Sequence, residues 1–95
     1  MILDLLKGID DPEDRIRIAA AINMLRDMYA NGSIGYDELK RELTDIVASI
    51  YTWRHPELTY SEILEKSKST VEEIAKAIVI STLSTRVRST FKMKL

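Results

Sequence analysis

Residues 70–95 read TVEEIAKAIVISTLSTRVRSTFKMKL, and the fold turns on how this stretch is read. On a helix, at about 100° per residue, Val71, Ile74, Ala75 and Ile78 share one face, while Ile80, Leu83, Val87 and Phe91 share the face roughly opposite. One straight helix would therefore move its apolar face to the other side near Val79. A turn over Val79–Thr82 removes that conflict and predicts a new helix from about Leu83. The same residues also alternate, with Leu83, Thr85, Val87, Ser89, Phe91, Met93 and Leu95 set against Ser84, Arg86, Arg88, Thr90, Lys92 and Lys94, which is the period of a strand. Spacings of i, i+4 and i+8 satisfy both patterns, so a helix and a strand both stand as expectations here. A lone strand would need a partner from a second subunit or another protein.

Upstream, the helical signals are plainer. Asp10-Asp11-Pro12-Glu13-Asp14 opens a helix: Asp11 can cap, Pro12 suits the first helical position, and the acids favour the positive helix end. Ile18, Ala21, Ile22, Leu25, Met28 and Tyr29 then form one stripe. Ile16, Ala20 and Met24 form a second strip beside it, so burial on more than one side is expected. Asn31-Gly32 stops this helix. The next places Tyr36, Leu39, Leu43, Ile46, Val47 and Ile50 on one face, with its charges largely on the other, and should end before Pro56. Thr59-Tyr60-Ser61-Glu62 has the spacing of a capping box. Ser67-Lys68-Ser69 is expected to interrupt the helix it opens, and Thr70 to Glu73 offers a second box. Before these, Ile2, Leu5, Leu6 and Ile9 suit a helix of one or two turns ending at Gly8, either packed on the body or docked on a partner.

The expected fold is thus all-α, a small orthogonal bundle of four to five helices with a possible β-strand at the C-terminus. Residues 1–95 form a single helical domain with a basic element at about 83–95. Its core should include Ile18, Ile22, Leu25, Tyr29, Leu39, Leu43, Ile46, Ile50, Ile63, Ile74 and Ile78. An apolar fraction of 45% and a charged fraction of 31% suit a globular chain. Dense mixed charge without Gln resembles the composition of thermophile proteins.

Charge is divided along the chain. Residues 1–65 carry 13 acidic and 7 basic side chains, a net charge of −6, while residues 66–95 carry 2 acidic and 7 basic, a net charge of +5. No acid follows Glu73. Arg86, Arg88, Lys92 and Lys94, interspersed with Ser84 and Thr85 and with Lys76 upstream, are the groups that contact phosphate oxygens. Nucleic acid is one expected partner of this element, and an acidic protein surface is another. A solvated face that balances the acidic body is the plainer reading.

Catalytic signals are sparse. There is no Cys and a single His, so neither a thiol nucleophile nor a structural zinc site is expected. The three glycines are scattered, so no Gly-rich phosphate loop forms. No enzyme activity, metal or cofactor is expected. No apolar run approaches the ~18 residues of a membrane span, and a cytoplasmic address is expected. Partner contacts are expected at Ile2, Leu5 and Leu6, at Trp53, or through the C-terminal element, in a homodimer or a larger complex. Trp53 suits an interface hot spot or the core equally.

Residues 70–87 resemble a helix-turn-helix DNA reader. Ile74-Ala75 matches the pair often found on the first helix of that family. Ile80-Ser81 matches its turn, and Thr82-Leu83-Ser84-Thr85-Arg86-Val87 matches a recognition helix with Val inward. Val79 stands where Gly is usual, and the gap from Ile80 to Val87 is longer than the family pattern. Upstream, residues 15–39 resemble the opening of winged-helix domains. The first resemblance implies that Ser84, Thr85, Arg86 and Arg88 face the DNA groove or its backbone.

Overall fold

The computed structural model describes the backbone of residues 6–94 and the side chains of residues 6–83. It is all-α, with three helices and no strand among the described residues: α1 (Pro12–Ala30), α2 (Tyr36–Arg54) and α3 (Tyr60–Lys94). Leu6 and Lys7 are helical ahead of a turn at Gly8.

Each boundary has a local chemical cause. Asp11 is extended, and its Oδ1 accepts from the Glu13 amide at 2.9 Å while Pro12 begins α1. The far end closes through Gly32 at φ 83°, a conformation that suits glycine, with the Gly32 and Ser33 amides donating to the carbonyls of Tyr29 and Met28. α2 ends at His55, whose amide donates to the Tyr51 carbonyl just ahead of Pro56. Thr59 and Glu62 form the expected capping box: the Glu62 amide donates to Thr59 Oγ1 at 3.3 Å, and the Thr59 amide donates to Glu62 Oε1 at 3.1 Å.

The interruptions expected inside α3 do not occur. Ser67 is fully buried in mid-helix, and its hydroxyl donates to the Ile63 carbonyl one turn back at 2.7 Å. Thr82 does the same to Ile78 at 2.9 Å. Hydroxyls satisfied by the helix's own carbonyls need not end it. Thr70, expected to cap a new helix, instead meets the Tyr51 hydroxyl at 2.8 Å across the α2–α3 contact. The backbone stays helical through Val79–Thr82 and on to Lys94, so the separate elements expected after Thr59 are one helix.

The five-residue link 55–59 folds α3 back along α2, and this pair makes the most extensive contact, with α1 packed across it. Leu39, Leu43, Val47 and Ile50 from α2 meet Val71, Ile74, Ala75 and Ile78 from α3, and Ile22 and Leu25 close the core from α1. Each large aliphatic side chain fully buried there contributes about 1.5–3 kcal/mol. Ile18, Tyr29 and Ile46 pack at its margin. The strip expected to be a second buried side of α1 is not one: Ile16 is 68% and Met24 59% exposed.

α1 and α2 are each about 28 Å long and α3 about 52 Å. The radius of gyration is 15.1 Å, against about 12 Å for a compact domain of this length, and the extents are 56 × 27 × 19 Å. α3 outruns the bundle.

Candidate partner-binding surface

The apolar face does change sides along α3. Its inward stripe runs from Ile63 through Ser67, Val71, Ile74 and Ile78 to Thr82, all buried. On the opposite side Ile80 is 64% and Leu83 53% exposed. A continuous helix keeps both stripes, the first packed in the core and the second turning Ile80 and Leu83 to solvent. By register, Val87 and Phe91 continue the second stripe along the helical backbone.

Lys76 is exposed on this helix. Ser84, Thr85, Arg86, Arg88, Lys92 and Lys94 lie on its helical backbone, and their side chains fall outside the described residues. At about 100° per residue the four positions do not gather on one side: 86 and 88 fall at the two edges of the apolar stripe, 94 within it and 92 on the far side. The turn that the DNA-reader resemblance calls for is absent from the described backbone.

At the other end of the bundle, Trp53 is 66% and Tyr60 70% exposed, so Trp53 is not a core residue. Both line a groove of about 360 Å³ with Asp45, Ser49 and Thr52. On its other side Trp53 lines a second groove of about 410 Å³, edged by Asp10, Asp11 and Asp14. Two cations belong to this second groove: Arg17 pairs with its Asp14 at 3.8 Å, and Arg54 lines it, its guanidinium lying so close over Gly8 that a Cβ there would overlap it. Leu6 is half-buried against the core, while Ile2 and Leu5 lie outside the described residues.

Other polar groups serve the fold. Lys40 on α2 pairs with Glu72 on α3; the hydrogen bond to Glu72 raises the Lys40 amine above its ordinary range, and the same bond lowers the Glu72 carboxyl. The Glu62 carboxyl is lowered by the hydrogen bonds it accepts from the Thr59 amide and hydroxyl. His55 caps α2, with Nδ1 3.4 Å from Glu57 Oε1. Among the described residues no group of three or more His, Cys, Asp or Glu is placed to hold a metal, and no helix is long and apolar enough to cross a membrane. The sequence singled out Trp53 and the stripe through Leu83 but not Tyr60 and Asp45, whose meeting depends on how tightly α3 folds back on α2.

No protein-family model, curated protein or solved structure matches this chain.

Proposed function

We propose that this chain is a non-catalytic adaptor or accessory subunit that docks on an acidic protein surface through the overhanging end of α3. One observation carries the reading: α3 outruns its own bundle while turning Ile80 and Leu83 to solvent, on a segment without a single acid. An amphipathic helix that lays an apolar stripe into a groove recognises its partner through anchors at i, i+3 and i+7, here Ile80, Leu83 and Val87. Cations at both edges of such a stripe meet carboxylates on both sides of the groove and speed encounter.

Nucleic-acid binding is the second reading, favoured by the net charge of +5 on residues 66–95. It needs the cations but not the stripe. The two are separated by titrating the protein, at two salt concentrations, with a labelled DNA duplex and with a labelled acidic amphipathic peptide. The adaptor reading expects peptide binding that is lost in Ile80→Glu/Leu83→Glu. Salt-sensitive duplex binding that ignores those changes but vanishes on neutralising Arg86, Arg88, Lys92 and Lys94 would transfer the conclusion to nucleic acid.

A further inference from the structure

We infer that the acidic surface met by the α3 end is the Trp53–Tyr60 corner of a second copy of this chain, an inference that rests on the docking reading above. The corner has the composition of an interface hot spot. Trp and Tyr together expose large rigid rings, and Trp53 stands between two grooves, one edged by Asp45 and the other by Asp10, Asp11 and the Arg17-paired Asp14 beside Arg54. A guanidinium is the cation best suited to stack on such rings and to meet a carboxylate beside them. The chain carries Arg86 and Arg88 on an apolar-striped helix at its other end.

The chain's own geometry makes the contact intermolecular. Tyr60 begins α3, so residue 86 lies about 39 Å further along the same continuous helix. The basic end cannot reach the corner of its own chain. Pairing two basic ends with each other is opposed by like charge, whereas the −6 of residues 1–65 opposite the +5 of residues 66–95 favours an end-to-corner contact. The stripe faces away from α2 while the corner lies on the α2 side, so the contact runs head to tail, each basic end on the next copy's corner. The contact rests on opposite charge at the exposed end of a helix, so the association is salt-sensitive.

The test uses the full chain. Sedimentation velocity over a range of protein concentrations, at low and high salt, is read beside the emission of Trp53, the only tryptophan. The expected result is concentration-dependent self-association, weaker in high salt, with a blue shift of Trp53. Trp53→Ala, Tyr60→Ser and Arg86→Glu/Arg88→Glu should each weaken pairing at least about tenfold, with unchanged far-UV circular dichroism. Mixing Trp53→Ala with Arg86→Glu/Arg88→Glu should restore a one-to-one pair, because one chain brings an intact end and the other an intact corner. A monomer at every concentration, pairing that survives these changes, or a mixture that stays apart overturns the inference. A monomer that still binds the acidic peptide removes the second copy and leaves the docking helix; loss of both removes both.

Discussion

Ile74 and Ile80 lie six residues apart on one helix, and truncating each to alanine should have opposite consequences. Ile74 is fully buried against α2 and α1, so Ile74→Ala removes three carbons from a packed site and leaves a cavity. Such changes cost about 2–5 kcal/mol. In a domain of this size that lowers Tm by at least about 8 °C. Ile80 is 64% exposed on the far side, so Ile80→Ala loses little burial and gains helix propensity; its effect should stay within about 0.5 kcal/mol. Thermal unfolding followed by circular dichroism at 222 nm, with urea midpoints as a check, measures both. A turn at Val79–Thr82 would instead carry Ile80 into the core. An Ile80→Ala variant as unstable as Ile74→Ala would refute the continuous helix and the exposed stripe with it.

Gly32 has φ 83° with open space around it, so Gly32→Ala costs about 1–2 kcal/mol from backbone strain alone; an unchanged urea midpoint would contradict this turn. Gly35 is extended at φ −88° with no atom near a new Cβ, so Gly35→Ser should add about 0.5–1 kcal/mol by capping α2 and stiffening the unfolded chain. Thr59→Ala removes the capping box and should cost about 0.5–2 kcal/mol in the same assay. The Lys40–Glu72 pair predicts a pH signature. Glu72, lowered in the fold, contributes above the ordinary carboxylate range, and this is lost as pH falls through its lowered value. Lys40, raised in the fold, contributes below the ordinary lysine range, and this is lost as pH rises through its raised value. The wild-type advantage over Glu72→Gln should therefore be confined between those limits; an advantage equal at all pH would sink the assignment.

The helix starts at Pro12 and Tyr60, the stop at Asn31-Gly32 and most of the core were legible because each depends on residues within one or two turns. Ser67 and Thr82 were not. A hydroxyl can cap a new helix or bond back into the one it sits on, and Ser67, fully buried, bonds back to Ile63, a burial that no local pattern encodes. The change of apolar face near Val79 was visible in the sequence. Reading it as a turn assumed that every apolar stripe is covered by its own chain, and Ile80 and Leu83 show otherwise. The same assumption misplaced Ile16 and Met24. Val47, Val71 and Ala75 entered the core because α2 and α3 run side by side, and that pairing fixes which flanking positions close over. Trp53 was ambiguous for the same reason: its exposure depends on the angle at which α3 leaves the corner.

The two five-residue links, 31–35 and 55–59, also set a timescale. Each helix pairs with its neighbour in sequence, so forming the core closes only short loops, and helical domains of this kind fold in roughly microseconds to milliseconds. Trp53, already largely in water in the folded chain, would report little of that event. On the inferred end-to-corner contact its emission would follow a later, concentration-dependent step, so that a stopped-flow trace of fluorescence and one of circular dichroism should record different events.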